Sequence, residues 1–161
     1  MRLDKIAPSP DGTYLAIIGF HGGIDFRGQI VEIDVKAYDN SNPLLGEVIL
    51  IKPPNRVSET MGSINLGKWI SRIVAIPGDS VTIDGGMINV LSKDSNHAGG
   101  LERIIARFPL PPDSISPISK PIYPIQIPFD YFHVVGDNPE KSFDSRFWGL
   151  LPRDRIIGKV R

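Results

Sequence analysis

Residues 81–90 read Val81-Thr82-Ile83-Asp84-Gly85-Gly86-Met87-Ile88-Asn89-Val90. Two short apolar-rich runs flank a Gly-Gly pair, and both glycines accept the positive φ that a two-residue hairpin turn demands. The stretch predicts a β-hairpin with strands over Val81–Asp84 and Met87–Val90. Just upstream, Ile70–Ile76 is an apolar strand that stops at the turn dipeptide Pro77-Gly78. Further out, Tyr14–Phe20, Gln29–Val35, Glu47–Ile51 and Phe129–Val135 read as strands, the third halted by Pro53-Pro54. Pro8, Pro10 and Gly12 make residues 1–13 an expected irregular segment, and Tyr38–Gly46 an expected loop follows later. Pro152-Arg153-Asp154 predicts one short helical turn before the apolar pair Ile156-Ile157.

Composition agrees with a strand-and-turn chain. The 161 residues include 16 glycines and 15 prolines, nearly a fifth of the total against roughly 12% in average usage. Long helices tolerate neither residue inside, so a helical bundle is excluded. At 41% hydrophobic the chain is too apolar for disorder, which leaves an all-β fold. Seven prolines fall between Pro109 and Pro128, where an internal ladder cannot form. The expected organisation is therefore a β core over residues 1–84 and 129–161, interrupted by an inserted hairpin and Pro-rich extension over 85–128. That insertion reads equally as a lid, a membrane-contacting surface or packing.

The same numbers narrow the chemistry. There is no cysteine, so disulfides, thiolate metal sites and cysteine nucleophiles are excluded. His21, His97 and His133 lack ligand spacing, so no metal is expected, and no cofactor motif is present. Acidic and basic residues balance at 18 each, without a basic stripe or phosphate-binding loop, so nucleic acid is not an expected partner. The longest apolar run, Tyr14–Phe20, falls far short of the roughly 20 residues a spanning helix needs. No secretory leader is read in the charged start Met1-Arg2-Leu3-Asp4-Lys5.

Two clusters stand out. Gly136-Asp137-Asn138-Pro139-Glu140-Lys141-Ser142-Phe143-Asp144-Ser145-Arg146 is the densest polar run, set between a strand and Phe147-Trp148. If extended, it places Ser142, Asp144 and Arg146 on one face, with an Asp–Arg pair orienting the Ser142 hydroxyl. An Asx turn followed by a surface salt bridge explains it as well. The second cluster, Ser71-Arg72-Ile73-Val74-Ala75-Ile76-Pro77-Gly78-Asp79, is on its own a buried strand and a turn.

In order along the chain the two clusters resemble the type I signal peptidases, serine endopeptidases of a β-rich fold. That family carries Arg-x-x-(Gly/Ala)-x-Pro-Gly-Asp and, later, Gly-Asp-Asn-x-x-x-Ser-x-Asp-Ser-Arg. Gly46-Glu47-Val48-Ile49-Leu50-Ile51-Lys52-Pro53-Pro54 and the tail Phe147–Arg153 through Gly158-Lys159 extend the likeness. The resemblance implies a serine nucleophile and a lysine general base whose amine burial keeps neutral. It places the lysine immediately before the motif arginine, where this chain has Ser71. The nucleophile pattern Ser-Met-x-Pro-Thr-hydrophobic is best matched by Ser9-Pro10-Asp11-Gly12-Thr13-Tyr14, although an Asp-Gly turn fits that segment too. Ser41 is the weaker match.

Carried over on the same motifs, Ser142 would orient the base, and Arg72, Asp144 and Arg146 would supply an ion-pair framework. Gly136, Asp137 and Asn138 would shape the loop, Asp79 would end the second motif, and amides near Ser9 would form an oxyanion hole. Periodicity turns Lys68 and Lys141 away from the site, and His133 reads as a strand histidine. Two functions follow. One is an endopeptidase processing leader peptides of exported proteins or pilins, its extended substrate adding along an edge strand with small residues before the cut. The other is a catalytically inactive homologue that binds peptides or assists assembly. Both imply the extracytoplasmic face of a membrane and contact with its surface, with the N-terminal anchor lying outside this sequence.

Overall fold

The structure is a computed structural model and describes residues 3–9, 13–18, 30–55, 57, 67–93, 102–110, 121–138 and 142–161. Among these, strands β1 (Leu3–Pro8), β2 (Thr13–Ile18), β3 (Ile30–Asp34), β4 (Val48–Ile51), β5 (Trp69–Ala75) and β6 (Ser80–Asp84) occupy the first half. Then come β7 (Met87–Lys93), β8 (Glu102–Pro109), β9 (Ile125–Gln126), β10 (Tyr131–Val135), helix α1 (Ser145–Trp148), β11 (Leu151–Pro152), a 3-10 turn at Arg153–Arg155 and β12 (Ile156–Val160). The protein is all-β; α1 is four residues long, and Asn55 and Val57 are also helical.

The strands pair antiparallel in two sheets, β1-β2-β3-β12-β4-β5-β10-β11 and β8-β7-β6-β9. β4 and β5 lie in the middle of the larger sheet, which explains why their sequences are apolar on both faces. Ile49, Ile51 and Ile73 enter a core closed by Phe147 and Trp148 of α1. Leu50 and Ile70 point the other way, onto Val31 and Ile33. A third core joins the sheets, Val74, Ala75 and Val135 packing against Val81, Ile88 and Val90.

The hairpin at Gly85-Gly86 forms as read, with φ of 56° and 75° at the two glycines and register Ile83↔Ile88. Three expectations need correction. Residues 3–8 are a strand, not an irregular segment: β1 is the edge of its sheet, so Pro8 can pair with Tyr14 while its missing N–H breaks no internal ladder. β8 escaped prediction because a bulge skips Ile105, Val90 pairing with Ala106 and Leu91 with Ile104, which disrupts the alternation that marks a strand. The third is the 142–146 run. It is not extended, because Asp144 caps a helix that already contains Arg146. The second sheet begins at Ser80, so β6 belongs with the hairpin and not with the larger sheet. Half of the Pro-rich run (residues 111–120) lies outside the described residues, as do Lys141, His21 and His97.

Candidate active site

β5 sets the site. Ser71 lies opposite Ile49, is 5% exposed, and shares its sheet face with Trp69 and Ile73. Phe143 meets Trp69 edge-on at 6.3 Å, so the aromatic residues before and in α1 roof this part of the strand. Arg72 emerges on the opposite face. Its Nε and Nη2 donate to the two oxygens of Asp137, both at 2.7 Å, and Nη1 donates to the Gly46 carbonyl at 2.8 Å. One guanidinium thus ties β5 to the turn after β10 and to the turn before β4. The Asp137 carboxylate raises the Arg72 pKa further, keeping that charge fixed.

The Asp144–Arg146 pair is almost wholly buried. The carboxylate accepts from Arg146 Nε at 2.8 Å, Arg146 Nη2 at 2.7 Å and the Arg146 N–H at 3.1 Å. It also accepts the Gly136 N–H at 3.0 Å, while Ser145 Oγ accepts the Val134 N–H at 3.0 Å. These two side chains therefore satisfy β10 where β11 has ended, since β11 pairs only with Tyr131 and Phe132. The two halves of the polar run are one hydrogen-bonded unit, in which Ser142 Oγ donates to the Asn138 carbonyl and not to the ion pair.

The expected site residues thus divide. Ser71, Arg72, Gly136, Asp137 and Asn138 sit at the junction of β5 and the end of β10, where Val135 opposes Arg72. Ser142, Asp144 and Arg146 buttress that junction. Asp79 serves elsewhere: its carboxylate accepts the Ile76 N–H at 2.9 Å and shapes the turn into β6. Ser9 follows edge strand β1, and both its N–H and its Oγ donate to the Thr13 carbonyl. From Thr13 the register runs to Asp34, Lys159, Ile49 and finally Ser71. Ser9 and Ser71 are therefore separated along the sheet by the four strands β2, β3, β12 and β4. Ser41 Oγ is exposed and donates to the Ala37 carbonyl.

Sequence reasoning missed a second network. Lys159 shares Ser71's face, two strands away, but its ammonium is held by Glu47 Oε1 at 2.6 Å. Burial alone would push the Glu47 carboxyl up. Hydrogen bonds from the Leu44 N–H, Lys159 and Tyr38 outweigh it and hold the group below its usual range. Both charged residues stand inside family-like stretches, as Gly46-Glu47 and Gly158-Lys159, so the signal was present but unpaired. Among the described residues no cluster of His, Asp or Glu suits a metal ion, and no helix is long and apolar enough to cross a membrane.

Comparison with known proteins sets this arrangement in a family. A model described as "Signal peptidase, peptidase S26" matches residues 27–161. The chain belongs to the signal peptidase family. Signal peptidase I of Leptolyngbya laminosa is 32% identical over 127 residues, 77% of this chain and 54% of that protein. A probable signal peptidase I-2 of Synechocystis is 27% identical over 131 residues, 80% of this chain and 51% of that one. The chain thus spans about half the length of these relatives. A solved signal peptidase I from Enterococcus faecalis is 17% identical, covering 75% of this chain and 98% of that one with a TM-score of 0.44. In this signal peptidase-family chain the matched region contains Ser71 and the whole junction, whereas Ser9 lies before it.

Proposed function

We propose that this signal peptidase-like chain is a peptide-binding domain without serine–lysine hydrolysis, acting on the extracytoplasmic face of a membrane. The observation that carries the proposal is Ser71. A hydroxyl with ordinary proton affinity cannot take a proton from a serine nucleophile near neutral pH. Two described candidates are committed elsewhere: Lys159 is paired with Glu47, and Ser9 lies four strands away across the sheet. What the fold keeps is an edge. β5 extends past the end of β10, so Ile70 and Ser71 pair with β4 on one side and with no described strand on the other. Ile73 bonds toward β4 through both its N–H and its C=O, so alternation turns the Ile70 N–H and C=O toward the open side. An extended peptide can add there by main-chain hydrogen bonds, under the roof of Trp69 and Phe143.

N-methyl scanning tests the binding mode. Methylating every second amide of a leader peptide removes donors from one edge only. One of the two alternating sets should retain affinity and the other should lose at least tenfold. Equal affinities for the two sets would reject strand addition.

A further inference from the structure

Apolar side chains of both sheets form the core between them. His133 enters it from β10, opposite Ala75, with no exposed surface. Neither ring nitrogen has a hydrogen-bond partner among the described residues. Tyr123 packs against the same core, and its buried hydroxyl is likewise without a partner. Both groups lie within electrostatic reach of Arg146, whose Nη1 donates to the Pro109 carbonyl at the end of β8 at 3.4 Å. Asn89 Oδ1 is also unpartnered, but alternation along β7 sends it to the face opposite Ile88 and Val90, so it belongs to a different environment.

A neutral imidazole carries one donor and one acceptor, and a phenol hydroxyl carries one of each. Native interiors rarely leave such atoms unmet, and where side chains and backbone do not serve them, ordered water does. We propose that the inter-sheet core holds a hydration site, in which one or two ordered waters bridge His133 to Tyr123 Oη beside the Asp144–Arg146 pair. Local charge selects water over an ion. The Arg146 guanidinium is neutralised by Asp144 at 2.7 Å, and burial together with Arg146 holds the imidazole neutral. An anion has no proton to give the accepting ring nitrogen, and a cation would be buried without a free counter-charge, since Asp144 is already paired with Arg146. Water can do both jobs. It would connect β10 of the larger sheet to the segment entering β9 of the smaller one.

A high-resolution crystal structure of the unmodified protein is the test. The expected map has a water about 2.7–3.2 Å from Tyr123 Oη, linked directly or through a second water to a His133 nitrogen. Tyr123→Phe, His133→Leu and the double variant add a second readout, an expected coupling of tenfold or more in the unfolding constant. A direct Tyr123–His133 hydrogen bond, a dry contact, or additive effects in the cycle would overturn the site. If a variant does not fold, the map of the unmodified protein decides alone.

Discussion

Replacing Asp144 by alanine removes the acceptor of four hydrogen bonds at once, from the Gly136 N–H, the Arg146 N–H, Arg146 Nε and Arg146 Nη2. The dominant loss is electrostatic. The Arg146 side chain is 2% exposed, so it cannot swing into water without dismantling α1. Removing one member of a buried pair costs about 3–5 kcal/mol. Losing the helix N-cap adds about 1 kcal/mol, and the stranded Gly136 N–H about 1–3 kcal/mol. These losses share one relaxation and are not additive, so the expected total is about 5 kcal/mol, comparable with the whole stability of a marginal domain. Urea unfolding followed by fluorescence of the buried Trp148 measures it. Asp144→Ala combined with Arg146→Met removes both charges and should recover at least about 2 kcal/mol. A cost below about 1 kcal/mol for Asp144→Ala, or a double variant no more stable than the single one, would refute the reasoning.

Three further outcomes are expected. Burial and Arg146 lower the His133 pKa to about 3, whereas the unfolded chain titrates near 6.5, so folding excludes a proton and stability falls as pH drops below 6.5. At 1.36 kcal/mol per unit, the stretch from pH 6.5 to 5 removes about 2 kcal/mol. Asp34 and Glu47 have lowered pKa values and lose their contribution only below their unfolded values near 4, so these two carboxylates add little in this window. His133→Leu should flatten the denaturation-midpoint profile there, and an unchanged slope would contradict the assignment. Gly158→Ala should destabilise by about 1–3 kcal/mol in thermal melts, because its Cβ would meet the Asp34 carbonyl oxygen at 2.6 Å; a neutral substitution would mean that β3 and β12 yield readily. Asp137→Asn should cost no more than about 1 kcal/mol, and less in high salt, since the Arg72–Asp137 pair is more than a third exposed. A larger, salt-independent loss in urea unfolding would show that the pair behaves as a buried one.

The fold was legible wherever local chemistry and tertiary context agreed. Gly85-Gly86 had one economical use, and the apolar runs Glu47–Ile51 and Ile70–Ile76 read as strands close to their observed bounds. The misses arose where context overrode local signals. Leu3–Pro8 pairs because it is an edge, and β8 pairs across a bulge that hides its alternation. At the site, the motif spacing located the junction of β5 with the turn after β10, but not who bonds to whom. Arg72 takes Asp137 in the turn after β10, whereas Asp144 caps α1 and is taken by Arg146. Ser145, read only as a letter in a motif, finishes the edge of β10. Glu47 and Lys159 are 112 positions apart, and only the β12–β4 register brings them together.

The central claim concerns chemistry at Ser71 and Ser9, and mass spectrometry of a leader peptide incubated with stoichiometric protein tests it most directly. The peptide should stay intact at neutral pH while remaining bound, and Ser9→Ala should change nothing. Rapid cleavage at one defined bond, abolished by Ser9→Ala, would contradict the account and establish a working nucleophile.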